Sequence, residues 1–241
     1  MIKRFSAKAK KTTAAIALLS VEMVLILVIF ILSLLALAYL IRNVIVLHKT
    51  GFDQKVFSYL QRHVSVENND IMLFFTFLGT HKFLIPANLS LILFFILKKH
   101  RWYAIKVPAI ALSSLALMFG LKHLFHRSRP DVPLIFHAEG LSFPSGHALF
   151  SVTFYGLLVY LIYKSVRNKG LKWSLIIFLL VLMLIIGFSR VYLRVHYATD
   201  VIAGFCVGTV WLIFAIWLLN RLEEQSKRKL NPVVQAPAIS S

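Results

Sequence analysis

An all-α bundle of six membrane-spanning helices is the fold this sequence predicts, and three observations predict it. Of the 241 residues, 59% are hydrophobic and 15% charged, and the mean hydropathy of +0.79 lies well above that of a soluble domain. Six apolar stretches, near 20–41, 71–97, 103–125, 147–164, 171–190 and 198–219, approach the roughly 20 residues that cross ~30 Å of hydrocarbon. No stretch shows the alternation of a membrane β-strand, and in lipid only helices and closed barrels satisfy every backbone group.

The first span follows Lys3, Arg4, Lys8, Lys10 and Lys11 and contains Ala36-Leu37-Ala38, a pattern superficially like a cleavable signal peptide. Its apolar run, Ala14 to Ile41, exceeds the roughly 7–15 residues of a signal core, so it reads as an uncleaved span. Glu22, near the inner end, reads as a snorkelling side chain. Residues 42–70 mix Asp53, Glu67 and Asp70 with basic and apolar positions and read as an amphipathic surface stretch. Spans two and three are joined by Lys98-Lys99-His100-Arg101, and span four opens behind Pro144. Residues 1–230 read as one six-span domain without an internal repeat. The tail 231–241, with two prolines and no charge, reads as disordered.

Charge gives the orientation. The N-terminal tail carries five Lys and Arg, residues 98–101 three, 164–172 four and 221–229 four, sixteen in all against ten on the opposite side. The positive-inside rule then puts both termini in the cytoplasm. The formal charge of +18 therefore belongs to membrane topology rather than to nucleic acid, since no basic stripe interleaved with aromatics stands apart from the spans. Cys206 is the sole cysteine, so no intrachain disulfide forms, and it reads as a small core residue.

Five of the ten outward basic residues crowd into 122–129 and 190–194, against the rule that placed the others inside. Three segments at that face carry chemistry. In the first, Lys122 ends the third span, and Pro130 biases Arg129 towards an extended backbone. Alone, these two cations read as snorkelling interfacial side chains, the commonest fate of such residues at span ends. In the second, Pro144-Ser145-Gly146-His147, Ser145 can cap the fourth span, and glycine lets an anion approach the helix start, where the dipole favours negative charge. Without its neighbours this is merely a helix start. In the third, Ser189-Arg190 precedes His196 and Asp200, four residues apart and neighbours on a helix opening span six. A carboxylate there can hold one imidazole nitrogen and free the other for attack, although a structural His–Asp pair has the same spacing. Together the segments supply a nucleophile, an acid, fixed cations and backbone donors, the set that phosphoryl transfer requires.

The sequence closely resembles the type 2 phosphatidic acid phosphatase superfamily of membrane lipid phosphatases, in particular its bacterial phosphatidylglycerophosphatase B and undecaprenyl-diphosphatase type. The signature, Lys-x6-Arg-Pro, then Pro-Ser-Gly-His, then Ser-Arg-x5-His-x3-Asp, stands complete and in order across residues 122–200. The resemblance implies that His196 attacks phosphorus to form a phosphohistidine, that Asp200 supports it, and that His147 protonates the leaving group. It implies that Lys122, Arg129, Ser145, Gly146 and Arg190 bind phosphate oxygens, with no metal and no cofactor.

The expected activity is hydrolysis of a lipid phosphomonoester or diphosphate, by analogy phosphatidylglycerophosphate, undecaprenyl diphosphate or phosphatidate, at the outer face of a bacterial inner membrane. A phosphotransferase using an acceptor other than water, or a non-catalytic lipid-binding or transport protein, shares the motifs. The vanadate-binding haloperoxidases share the site but are soluble, which this composition excludes. His123, His126, Arg127, His137 and Arg194, in or near the motifs, read as solvated, and His81 and Lys82 as interfacial side chains with headgroup contact the alternative.

Overall fold

The computed structural model describes residues 2–134 and 139–235, with side chains from 21 to 134 and from 139 to 228. His137 and residues 236–241 of the tail lie outside the described residues. Among the described residues the chain is helical without a strand, and six helical stretches are long and apolar enough to cross a membrane, the organisation of an integral membrane protein. They run Val21–Val46, Val66–Leu97, Arg101–Phe125, Gly146–Ser165, Lys169–Tyr192 and Ala198–Arg228.

The first span is α1 (Ile2–Leu40), continued by a π-helical turn, Ile41–Val46. It leans on the last helix through Leu37, Leu40 and Ile41, which pack with Phe143 and Ala203. Its other face, with Leu32 and Leu35, is bare of protein and apolar, as a lipid-facing surface must be.

The stretch read as an amphipathic surface segment is more deeply engaged than expected. It contains α2 (Gly51–Leu60), whose Val56, Phe57 and Leu60 pack on Val191, Ala198 and Val201 near the adjoining ends of the fifth and sixth spans. Asp53, in its first turn, is only 1% exposed.

The second span is two helices, α3 (Val66–Phe77) and α4 (His81–Leu97). Ser65 caps α3 by accepting from Asn68 N at 3.2 Å. At the break the Leu78 carbonyl accepts from Tyr155 Oη at 2.9 Å. A broken backbone inside a membrane is tolerated where, as here, protein satisfies the freed groups.

Beyond it lie α5 (Arg101–Phe125), α6 (Gly146–Ser165), α7 (Lys169–Tyr192) and α8 (Ala198–Gln235). The last of these runs past Leu230, where the tail was expected to begin. Helix α6 is central, packed closely by both α7 and α8. The α6–α8 approach depends on Gly204 and Gly208, one turn apart: a Cβ at either would come within 2.6 Å of the Ser145 carbonyl oxygen or 2.9 Å of the Leu149 one. Small residues at such spacing let helices in lipid touch backbone to backbone, where packing rather than the hydrophobic effect drives association.

Lys106, the basic residue inside the third span, is buried against α8 and donates to Asn220 Oδ1 and Glu223 Oε2, each at 2.6 Å. Its charge is thus paired rather than exposed to hydrocarbon. Helices α5 and α7 end, and α6 and α8 begin, at the other end of the bundle, so the three motif segments are delivered to one place.

Candidate active site

Hydrogen bonds close the three segments into a ring. Ser142 N donates to the Arg127 carbonyl at 2.7 Å, Ser145 N to the Asp200 carbonyl at 2.9 Å, and Arg129 Nη1 to the Val195 carbonyl at 2.8 Å. Each segment therefore fixes the other two, which is how short irregular pieces acquire the rigidity a reaction site needs.

Helix α5 stops at Phe125 because His126 takes the left-handed conformation, φ 46°. Residues 126–130 then leave the helix, as Pro130 predicts. Lys122, in the last turn, donates to the Leu141 carbonyl. Arg129 folds back across the ring: Nε donates to the Gly140 carbonyl at 3.0 Å, and Nη1 also lies 3.2 Å from His196 Nε2. Burial holds the Arg129 guanidinium below its ordinary pKa, with the Asp200 carboxylate opposing that shift.

The Arg129 contact assigns the tautomer of His196. A guanidinium only donates, so Nε2 is the unprotonated nitrogen and accepts through its lone pair, leaving the proton on Nδ1. Nδ1 faces Ser142 Oγ at 3.3 Å and Asp200 Oδ2 at 3.7 Å, and the Ser142 hydroxyl donates to Asp200 Oδ2 at 2.5 Å. The expected pairing of His196 with Asp200 is present in space but takes a different form. Helix α8 begins only at Ala198, so the two are not neighbours on one helix. His196 sits in the preceding turn, its N–H on the Arg190 carbonyl at 3.2 Å, and Ser142 stands between imidazole and carboxylate. Both side chains are sealed from solvent, at 2% and 0% exposure.

Ser145 occupies the N-cap position of α6 with extended backbone, yet its side chain makes no capping bond. The cap expected from the sequence is corrected accordingly: Ser145 Oγ is buried without a partner. At Gly146 a Cβ would meet Phe150 at 3.6 Å and Met118 at 3.8 Å, ordinary contacts, so packing does not demand glycine there. His147 Nε2 and Arg190 Nε are likewise buried and unpartnered. Each such atom costs about 1–3 kcal/mol unless something bonds it. His147 lies within electrostatic reach of Arg190, His196, Arg129 and Lys122, so all three candidate cations act on this one imidazole. Among the described residues there is no group of three or more His, Cys, Asp or Glu placed to hold a metal ion.

The second span, which carries no motif, also reaches the site. Thr76 accepts from Arg190 Nη1 at 2.7 Å. At Gly79, in the α3–α4 break, a Cβ would come within 3.0 Å of His147 Cδ2 and 2.7 Å of Ile186 Cγ2. The largest departure from the sequence reading is Arg127. Instead of a solvated side chain it is an ion-paired one, 11% exposed, bridging Asp53 and Asp200. The other demoted residues stay apart: His81, Lys82, His123 and His126 are exposed, and Arg194 rests 5.9 Å over the Phe57 ring.

Burial first, and the charges of Arg129 and Arg190 in support, pull the His196 imidazole down to about 4 against the opposing pull of Asp200. The imidazole is then neutral at every pH above that value. The same shift costs the fold stability as pH falls from 6.5 towards 4, because the unfolded chain binds that proton first. In NMR spectra of histidine-labelled protein, the resonance missing from His196→Ala is expected to keep its neutral position down to pH 5. Titration of that resonance near 6.5 would contradict the burial account.

A family model described as the PAP2 superfamily matches residues 102–224. Phosphatidylglycerophosphatase B of Bacillus subtilis (strain 168) is 28% identical over 162 residues, 66% of this chain and 77% of that protein. A putative undecaprenyl-diphosphatase of Escherichia coli (strain K12) is 33% identical over 128 residues, 50% of this chain and 60% of that one. The crystal structure of a transmembrane PAP2-type phosphatidylglycerolphosphate phosphatase from Bacillus subtilis superposes with a TM-score of 0.68 at 25% identity, covering 83% of this chain and 96% of that one.

Proposed function

We propose that this chain, which belongs to the PAP2 superfamily, is a membrane phosphatase that hydrolyses a lipid phosphomonoester or diphosphate through a phosphohistidine on His196. One observation carries the reading: Ser145 Oγ, His147 Nε2 and Arg190 Nε are buried without partners beside a histidine whose unprotonated nitrogen, Nε2, meets Arg129 Nη1 at 3.2 Å. A phosphoryl group bonded to that nitrogen offers the oxygens those atoms lack.

In the first step His196 Nε2 attacks phosphorus, the N–P bond forms and the bond to the leaving oxygen breaks. Lys122, Arg129, Arg190 and the first N–H groups of α6 take up the charge spread over the equatorial oxygens. His147 gives the leaving oxygen its proton. The incoming phosphate supplies the negative charge that a protonated imidazole needs among three cations. Proton transfer from Nδ1 towards Ser142 and Asp200 is not required, since their dipole and charge stabilise the cationic phosphohistidine. In the second step His147 takes a proton from water, which attacks phosphorus and frees His196. The six-span unit 1–230 acts as one domain in this scheme.

Basic residues concentrate at the end remote from the site, which favours a non-cytoplasmic active site with cytoplasmic termini, in a bacterial inner membrane. The names of the relatives put phosphatidylglycerophosphate and undecaprenyl diphosphate first among candidate lipids, with phosphatidate beside them. The test is phosphate release from each of the three by detergent-purified protein in EDTA. Release that survives the chelator is expected. A folded protein that releases phosphate from none of them would overturn the reading.

A further inference from the structure

The proposed reaction makes no use of Arg127, yet no side chain at the site is more fully engaged. Its two terminal nitrogens each serve one carboxylate: Nη1 donates to Asp200 Oδ1 at 2.5 Å, and Nη2 to Asp53 Oδ2 at 2.9 Å. Nη1 also reaches Thr199 Oγ1 at 2.8 Å, and the guanidinium lies 4.0 Å over the Tyr197 ring. Asp53 in turn accepts from Thr199 N at 2.9 Å and from the Thr199 hydroxyl at 2.7 Å, so it is bound to the first turn of α8, where Asp200 stands. The Asp200 carboxylate is held on both oxygens, by Arg127 on one and by Ser142 and Tyr197 N on the other.

We infer that Arg127 and Asp53 are positioning residues of the proposed reaction. Asp53, from the short helix α2, holds the Arg127 fork, and Arg127 holds Asp200 in the orientation through which Ser142 keeps His196 Nε2 aimed at phosphorus. This rests on His196 being the nucleophile.

Three features separate this role from phosphate binding. Both terminal nitrogens already face carboxylates, unlike the Nε of Arg190. The cluster of one cation and two carboxylates is net negative, which repels a phosphate rather than attracting it. Its link to the nucleophile is also continuous, each step from Asp53 through Arg127, Asp200 and Ser142 to His196 being a hydrogen-bonding distance. A planar fork can serve two carboxylates at fixed angles, whereas an ammonium cannot. Arg127→Lys is therefore expected to behave as a defect, not as a conservative change.

Removing Arg127 alone leaves two buried carboxylates without their cation, which can unfold the protein for reasons unrelated to catalysis. The decisive variant is Asp53→Asn/Arg127→Gln, which deletes one charge of each sign and keeps hydrogen-bonding groups at both positions. With phosphatidate in detergent micelles, it is expected to melt within a few degrees of wild type while kcat falls roughly 10²-fold, the scale of a misaimed reacting group, and KM stays within about threefold. Turnover within about threefold of wild type by a stable double variant would reduce the network to a structural tie. A raised KM with unchanged kcat would make Arg127 a substrate ligand instead, and would equally overturn the inference.

If the double variant does not fold, Asp53→Asn alone decides, since its amide still accepts from Thr199 N. Acid-labile, base-stable phosphoprotein should form about tenfold more slowly in it, and an unchanged rate would overturn the inference. His196→Ala runs in parallel: its activity would sink the mechanism itself, whereas its inactivity beside an active double variant sinks only the positioning role.

Discussion

Replacing His196 with alanine is expected to lower kcat by roughly 10⁴-fold or more while leaving the protein folded and able to bind phosphate. The loss is large because, in the proposed mechanism, the side chain supplies the atom that bonds to phosphorus, and no neighbouring group can substitute for it. Ser142 is the nearest hydroxyl, but its proton is committed to Asp200 Oδ2 at 2.5 Å and its oxygen faces Nδ1, behind the ring. Folding survives because the imidazole's partners are held by others. Arg129 keeps the Gly140 and Val195 carbonyls, and Asp200 keeps Arg127, Ser142 and Tyr197 N. Lys122, Arg129 and Arg190, the three cations proposed to bind phosphate, also remain, so inorganic phosphate should bind the variant within a few-fold of wild type. Turnover and acid-labile phosphoprotein are measured side by side. Substantial turnover without the phosphoprotein would show that water attacks directly, and His196 would then be a binding residue.

What the sequence made legible follows from where membrane proteins put polar residues. In an apolar chain, charges and histidines at span ends stand out against their background, and helix count decides which ends share a face. Lys122, Arg129, His147, Arg190, His196 and Asp200 could be gathered in this way, and the structure brings them together. Asp53 could not, because a carboxylate in an amphipathic stretch looks the same whether it meets water or Arg127. Its burial depends on α2 docking beside Val191, Ala198 and Val201, a contact more than 130 residues away in the chain. Ser142 lay just outside a motif read from Pro144 onwards, and a hydroxyl between two chemically louder groups gives no periodic signal. Helical spacing misled in one place: four residues between His196 and Asp200 suggested one helix face, but the hydrogen bonds of His196 N and Val195 N to the Arg190 carbonyl turn the chain before α8 starts. The break at Gly79 was equally silent, since an apolar run reads the same straight or kinked.

His147 should separate from His196 by its dependence on the leaving group. A lipid alkoxide is a poor leaving group and needs a proton as the bond breaks, so His147→Gln is expected to slow turnover of phosphatidate by roughly 10²–10⁴-fold. A p-nitrophenolate leaves without help, so with p-nitrophenyl phosphate the first step in the same variant should run within about tenfold of wild type. In the proposed scheme the second step keeps its requirement, because the attacking water still has to lose a proton and the base is the same residue. Phosphohistidine should therefore accumulate in His147→Gln given p-nitrophenyl phosphate, with a burst of nitrophenolate approaching one equivalent and little steady turnover. The surroundings of residue 147 favour a glutamine there over a larger group: the backbone of Gly79 lies so close that a Cβ on it would come within 3.0 Å of His147 Cδ2, and Nε2 has no protein partner to lose. Equal slowing of the first step with both substrates would remove His147 from proton transfer and leave it as one more ligand of the phosphate oxygens.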